Sequence, residues 1–183
     1  KVAIVTGGSR GLGRQAALSL ASEGCHVAIC ARGDERLRET EKELKALGVN
    51  TAAVVADITE PEDAQRIYET ALSLGSVDIL VNNAGGSRGG RELERASDEE
   101  LNQSMELNLY GGIRLIRLVL PHMKERKWGR IISVASIWGR EYGGGIGYMT
   151  AKAAIIAMSK HLAMEVAKYN ILVNTVAPGS IQF

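Results

Sequence analysis

This sequence has few cysteines, a net charge close to zero and no long apolar runs. Each of these absences excludes a class of protein. The only two cysteines, Cys25 and Cys30, show no spacing that would suggest a disulfide framework or a metal site. The formal net charge of +1 offers neither the basic footprint of a nucleic-acid-binding protein nor a charged patch for a membrane surface. No apolar run reaches the length of a membrane span. We therefore expect a cytoplasmic protein, in a reducing compartment, whose partner is a small molecule.

Histidine is scarce as well. His26, His122 and His161 are isolated along the chain from one another and from any cluster of cysteines or carboxylates. A transition-metal site needs several such ligands close together. The sequence therefore predicts no metal.

What the sequence does contain is an alternation of short β-branched runs with longer helical patterns. This alternation predicts a parallel sheet with helices on both faces, and the nearly uninterrupted apolar character of the runs agrees with a sheet covered on both sides. With no repeat or linker to divide it, the chain 1–183 is interpreted as one doubly wound α/β domain. The predicted strands are 2–6, 27–30, 52–56, 77–81, 130–135 and 171–176.

Two helical patterns, 107–120 and 151–167, are apolar almost all the way round. A helix that covers one face of a sheet needs only one apolar stripe. We therefore expect the second faces of these helices to meet another copy of the chain, in a homodimer or homotetramer. The alternative is that further C-terminal residues cover them.

A glycine-rich turn, TGGSRGLG at residues 6–13, follows the first strand and runs directly into a helical pattern. Glycines allow the bend and the close approach of a diphosphate, whose negative charge the helix start favours. The same residues also spell GxSxG, with Ser9 in the place of a hydrolase nucleophile. That alternative needs a histidine in a loop and an earlier strand, but His122 and His161 fall within helical patterns. The turn therefore indicates a dinucleotide cofactor.

The end of the second strand indicates which nicotinamide cofactor is bound. An acidic residue there would hold the adenosine ribose hydroxyls, whereas a basic residue would accept the 2′-phosphate of NADP. The strand ends at Ala31 and Arg32, and Arg10 lies in the glycine turn. Two guanidinium groups could converge on one phosphate. This favours NADP (NADPH), with NAD and a ribose contact from Asp34 as the alternative.

Tyr148 and Lys152, in the run YMTAK, lie on one face of the helix predicted after the fifth strand, since residues four apart are neighbours on a helix. A lysine ammonium close to a phenol favours the phenolate and allows proton exchange near neutral pH. Ser136 comes at the end of the fifth strand, where such sheets bind ligands, and can hydrogen-bond a reacting oxygen. The three residues indicate proton transfer at a carbonyl or hydroxyl group.

Through these motifs, and through Asp57, NNAG at 82–85, Asn108 and PG at 178–179, the sequence strongly resembles the short-chain dehydrogenase/reductase family over essentially its whole length. The resemblance implies a Rossmann-type sheet in three layers with the strand order 3-2-1-4-5-6. The expected cofactor contacts are Gly7, Ser9, Arg10, Gly11, Leu12, Gly13, Arg32, Asp57, Ile58, Asn83, Ala84, Gly85, Tyr148, Lys152, Pro178, Gly179 and Ile181.

The resemblance also implies a role for each catalytic residue. Tyr148 would be the general acid/base, and Lys152 would lower the pKa of the tyrosine and hold the nicotinamide ribose. Ser136 would orient the substrate carbonyl, and Asn108 would anchor a water in the proton relay. Members of the family usually continue into a substrate-covering segment and a seventh strand, so we expect a chain truncated at its C-terminus. Phe183 stands where the family often has a threonine.

Within the family, the nearest resemblance is to 3-ketoacyl-thioester reductases, which implies reduction of a thioester-linked or similar ketone. An NAD-dependent sugar or steroid dehydrogenase is one alternative. A cofactor-sensing protein without chemistry is another, but it would not need Tyr148, Lys152 and Ser136.

Two loops should border the substrate. Trp138 and Tyr142 offer flat apolar walls, unless they serve only to pack their loop. Arg88, Arg91 and Arg95 would suit an anionic substrate, although such a run is commonly a solvated face.

Overall fold

The chain folds around a sheet of six parallel strands in a computed structural model that describes residues 1–87, 90 and 92–181. The strands are β1 Val2–Thr6, β2 His26–Ala31, β3 Thr51–Val55, β4 Val77–Asn82, β5 Gly129–Val134 and β6 Ile171–Val176. Their order in the sheet is β3-β2-β1-β4-β5-β6. The predicted α/β class and strand order are confirmed.

The six predicted strands are all present, and their ends differ from the prediction by at most one residue. The differences arise because the pairing of the backbone, rather than residue type, sets each end. Gly129 has no strand preference of its own, yet it pairs with Ile171 at the start of the β5–β6 ladder. Ala135 lies beyond β5, although its N–H still donates to the carbonyl oxygen of Val176 at 2.8 Å.

Helices cover both faces of the sheet. Ala17 and Leu37, on the first two helices, pack into one buried cluster, whereas Ile67, Leu115 and Leu162 pack into another that contains the inner residues of β4 and β5. This is the expected three-layer arrangement. The helices are α1 Gly11–Ser22, α2 Asp34–Ala46, α3 Pro61–Leu72, α4 Asp98–Met105, α5 Gly111–Arg126 and α6 Ile146–Val166.

The two apolar helical patterns correspond to α5 and α6, with one difference. The chain makes a π-helical turn at Glu106–Tyr110, so that α5 begins only at Gly111. Tyr110 in the π-helical turn and Met164 on α6 are large apolar side chains that remain exposed, and Met164 is 79% exposed. Among the helices that the structure describes, none combines the length and the apolar character needed to cross a membrane.

The site is positioned by the point at which the strand order reverses. β1 pairs with β4, but the chain after β1 returns to β2 on one side, whereas the chain after β4 returns to β5 on the other side. A crevice opens between such connections at the carboxyl ends of the strands. The glycine turn after β1 and the NNAG run after β4 meet there.

Candidate active site

A cleft of about 1100 Å³ lies at the carboxyl ends of β1, β2, β3 and β4. This volume is slightly above the upper end of the range of about 300 to 1000 Å³ for small-molecule pockets and suits an extended ligand. Sequence reasoning missed Arg36, Ala56 and Leu107 among its lining residues. The expected cofactor contacts that line it are Gly7, Ser9, Arg10, Gly11, Leu12, Gly13, Arg32, Asp57, Ile58, Asn83, Ala84 and Gly85.

The glycine turn forms the floor of this cleft. Gly7 and Gly11 have φ values of 67° and 54°, which residues other than glycine rarely adopt. A Cβ atom on Gly13 would lie 2.3 Å from the carbonyl oxygen of Gly7, so the start of α1 rests directly on the turn. No side chain in the described part of the chain caps α1, and its first turn carries no acidic residue. The exposed amides and the helix dipole therefore fit a diphosphate.

Thr6 joins the glycine turn to the loop after β4. Its buried hydroxyl oxygen accepts hydrogen bonds from the backbone N–H groups of Asn83 and Ala84, both at 2.9 Å. The side-chain Nδ2 of Asn83 donates in return to the carbonyl oxygen of Thr6 at 2.9 Å. Sequence reasoning gave Thr6 no role, although it opens the TGG run. The signal that could have identified it was a hydroxyl group at the buried end of a strand.

At the far end of the cleft, Arg10 and Arg32 line the same wall. The side chain of Arg32 lies beside Asp57, with 3.8 Å between Nη1 and Oδ2. Asp34, the alternative ribose ligand, accepts a hydrogen bond from Nε of Arg38 at 2.9 Å. Asp34 is thus paired with Arg38 and Arg32 with Asp57, while Arg10 is exposed in the lining of the cleft.

Asn108 sits in the π-helical turn before α5, and its amide clamps the loop after β4. Its Nδ2 donates to the carbonyl oxygens of Gly86 and Ser104, and its Oδ1 accepts from the N–H of Gly86, all at 3.0 Å. Turns of this type recur at functional sites because they shift a side chain out of the regular helical register. The sequence predicted Asn108 as a site residue but not the turn that orients it.

Lys152 is buried beneath Tyr148. Its Nζ donates to the carbonyl oxygen of Val134 at 2.8 Å and lies 5.4 Å from the centre of the Tyr148 ring. Burial lowers the pKa of Lys152 to about 8, because the charged ammonium loses its hydration. A Cβ atom on Gly85 would lie 3.1 Å from this Nζ and 2.7 Å from Oδ1 of Asn108. Lys152 and Asn108 therefore converge at Gly85.

Ser136 follows β5 and begins a short 3₁₀ helix, Ile137–Gly139. Its Oγ accepts from the N–H of Trp138 at 3.2 Å, which leaves the hydroxyl proton available to a ligand. The N–H of Ile137 donates to the carbonyl oxygen of Pro178 at 2.9 Å, so the PG run lies beside the serine.

The remaining predictions concern charged loops and metals. Arg95 forms an exposed ion pair with Glu92 at 3.0 Å. Arg88, Arg91 and Phe183 lie outside the described residues. Across the described ranges, histidines, cysteines and carboxylates nowhere gather into a group that could hold a metal ion.

Residues 1–182 match the family model described as short chain dehydrogenase. The chain is 40% identical to 3-oxoacyl-[acyl-carrier-protein] reductase from Escherichia coli (strain K12), an alignment that covers 100% of this chain and 74% of that protein. It is 38% identical to the reductase of the same name from Staphylococcus aureus (strain Mu50), over 99% of this chain and 74% of that protein.

Solved structures of similar fold are also similar in sequence. An actinorhodin polyketide ketoreductase with NADPH superposes with a TM-score of 0.93 at 36% identity, covering 100% of this chain and 71% of the other. A xylitol dehydrogenase bound to NAD+ superposes with a TM-score of 0.91 at 30% identity, covering 98% and 70%.

The burial of Lys152 leads to a prediction about stability. Lowering its pKa from 10.5 to about 8 corresponds to a cost of about 3 kcal/mol for holding the charge in the folded protein. Lys152→Met removes this cost and loses one hydrogen bond of about 1 kcal/mol. We expect the variant to raise the free energy of urea-induced unfolding by about 2 kcal/mol at pH 7.

The pH dependence provides the control. Below pH 8 the lysine is charged in both the folded and the unfolded state, so the full cost is present. As pH rises from about 8 to 10.5, the folded protein loses the proton first and the advantage of the variant should fade. Lys160→Met, on the exposed side of the same helix, should change stability by less than about 0.5 kcal/mol. A destabilised Lys152→Met protein at pH 7 would contradict the prediction.

Proposed function

Because the chain belongs to the short-chain dehydrogenase family, we propose that it is an NADP-dependent reductase of a 3-ketoacyl thioester or a similar ketone. The family makes it an oxidoreductase that acts on a CH–OH or C=O group. The observation that carries the finer proposal is the meeting of Lys152 and Asn108 at Gly85, with Tyr148 above the lysine. The names of the curated reductases and of the NADPH-bound ketoreductase support the same substrate class.

The cleft fits the proposed cofactor. The uncapped start of α1 and the glycine turn would hold the diphosphate, and Arg10 and Arg32 would hold the 2′-phosphate. When bound, the cofactor supplies the hydride that reduces the carbonyl carbon. The other proposed contacts are Asp57 and Ile58 for the adenine, Asn83, Ala84 and Gly85 along the cleft, and Pro178, Gly179 and Ile181 for the nicotinamide.

Residues of the chain itself carry out the proton transfer. Tyr148 donates its hydroxyl proton to the carbonyl oxygen as the alkoxide forms, and Ser136 donates a hydrogen bond to the same oxygen. Lys152, charged at neutral pH, stabilises the phenolate that remains. The second lone pair on Oδ1 of Asn108 can accept from a water that returns the proton. Oxidation of an alcohol would run the same transfers in reverse.

An NAD-dependent secondary-alcohol dehydrogenase is the alternative function. Asp34 and Glu35 line the same end of the cleft as Arg32, and an acidic residue there would bind ribose hydroxyls. The NAD+-bound xylitol dehydrogenase is similar to this chain at a lower identity than the NADPH-bound ketoreductase.

We also infer that the outer faces of α5 and α6 meet a second copy of the chain. Met164 is 79% exposed, and Tyr110 is exposed close to the start of α5. Exposed apolar side chains just before α5 and on α6 are typical of a surface that is covered by a partner. Both helices run beside the site, so association would add rigidity to Tyr148 and Lys152.

Tyr148→Phe tests the proposed acid/base. The phenyl ring keeps the contacts with Lys152 and Trp138, while the exchangeable proton is lost. We expect kcat for reduction of an acetoacetyl thioester to fall at least about 100-fold, with the Kd for NADPH within a few-fold of the parent value. Tyr169→Phe, beside the amino end of β6, is the matched control and should retain activity. Equal turnover by Tyr148→Phe would refute the mechanism.

Cofactor choice is tested by titration with NADPH and, separately, NADH, following ligand fluorescence. We expect tighter binding of NADPH, and a loss of about tenfold or more in NADPH affinity for Arg32→Ala, because a charge-assisted contact to phosphate disappears. NADH affinity should be unchanged. Arg130→Ala, at the amino end of β5 and away from the cleft, is the control. Tighter NADH binding by the parent protein would favour the alternative function.

Association is tested by sedimentation velocity. We expect a dimer or tetramer at micromolar concentration, which Met164→Glu weakens at least about tenfold, because a buried charge without a partner is costly. Leu47→Glu, at an exposed position after α2, should leave the oligomer intact. A monomer at every concentration would contradict the inference.

A further inference from the structure

Trp138 stands beside Tyr148 as a large aromatic side chain that is held in place and yet remains 39% exposed. The two ring centres are 6.4 Å apart with an angle of 80° between the planes, an edge-to-face contact. The backbone N–H of Trp138 donates to Oγ of Ser136. Trp138 therefore contacts both residues that face the reacting oxygen in the proposed mechanism, Ser136 through its backbone and Tyr148 through its ring.

Three glycines fix the indole in this position. A Cβ atom on Gly139 would lie 2.8 Å from the backbone carbon of Lys152, so the short 3₁₀ helix packs directly on α6. A Cβ atom on Gly143 would lie 2.3 Å from Nε1 of Trp138, and one on Gly144 would lie 3.1 Å from its six-membered ring. The returning loop thus touches the indole with its bare backbone.

A tryptophan that only packed its loop would be covered. Here the loop contacts the ring through Gly143 and Gly144, and yet the residue, which also contacts Tyr148, remains 39% exposed. Its neighbours Ile137 and Tyr142 are also exposed, and the exposed charged residues Arg140 and Glu141 lie between them in the sequence. An exposed apolar surface rimmed by charge and built from a rigid support is typical of a binding wall.

We propose that Trp138 is the specificity-determining wall of the site and that it selects ketones which carry a flat aryl or conjugated group beside the carbonyl. The flat group stacks on the exposed indole while the carbonyl oxygen reaches Ser136 and Tyr148. This inference rests on the proposed function, and it narrows the substrate class from ketones in general to those with a planar substituent.

Three 3-keto esters of equal carbon number test the proposal, with a phenyl, a cyclohexyl or a hexyl group on the ketone. We expect kcat/KM for the phenyl ester to exceed that for the hexyl ester by about fivefold, the value of a stacking contact beyond simple burial. The phenyl ester should also exceed the cyclohexyl ester, since the flat face rather than bulk is recognised. Trp138→Phe should keep this order, and Trp138→Leu should bring the phenyl-to-hexyl ratio to about one.

Gly143→Ala tests the support of the wall independently. Its methyl group displaces the indole, so the phenyl-to-hexyl ratio should fall in the parent protein but not fall further in the Trp138→Leu background. Trp128→Phe is the matched control, because Trp128 directly precedes the amino end of β5, away from the site, and its ring lies between Lys1 and Arg130. This variant should leave the ratio unchanged.

The same control variant provides a readout that needs no turnover. With Trp128 replaced, Trp138 is the remaining tryptophan of the chain, and the phenyl ester should quench its fluorescence at a lower concentration than the hexyl ester. Equal quenching by the two esters, or a phenyl-to-hexyl kcat/KM ratio unaffected by Trp138→Leu, would overturn the inference and leave the proposed function standing. The opposite outcome is also possible to detect. If the phenyl ester quenches more strongly, but neither NADPH nor NADH reduces any of the three esters, the proposed function is overturned and the binding role of Trp138 is retained.

Discussion

The carboxyl ends of β1 and β4 must lie side by side for this site to exist, and the hydroxyl of Thr6 joins them. One oxygen accepts hydrogen bonds from two partly buried backbone N–H groups after β4, each bond contributing about 1 kcal/mol. The returning bond from Asn83 holds the glycine turn against the same loop. The floor of the cleft and the loop that leads to Gly85 are therefore parts of one hydrogen-bonded unit.

From that unit the constraint extends to the reacting groups. Because Gly85 lacks a side chain, Asn108 and Lys152 approach the same point from two different helical segments. Placing the ammonium there lowers the stability of the folded protein, as the lowered pKa of Lys152 indicates. The hydrogen bond to the carbonyl oxygen of Val134 offsets only a small part of this cost. Retaining a charge at such a cost is typical of functional sites, where electrostatic tasks take precedence over stability.

The fold could be predicted from the sequence to within one residue at each strand end, because strands buried on both faces have an unmistakable apolar pattern. The glycine turn and the positions of Tyr148 and Lys152 were equally local signals. Features that depend on distant partners could not be predicted. The hydrogen bonds of Asn108 to Gly86, the pairing of Arg32 with Asp57 and the bonds of Thr6 each join segments that lie far apart in the sequence.

The sequence by itself determined which elements form and which residue types stand at their ends, because backbone propensity and apolar periodicity act over a few residues. Only the tertiary structure decided how those ends face one another. Whether Trp138 packed its loop or bordered the site depended on three glycines and on a tyrosine ten residues away, whose contact requires the loop to fold back. The spacing of residues in the sequence does not predict such contacts, since they arise from packing between elements.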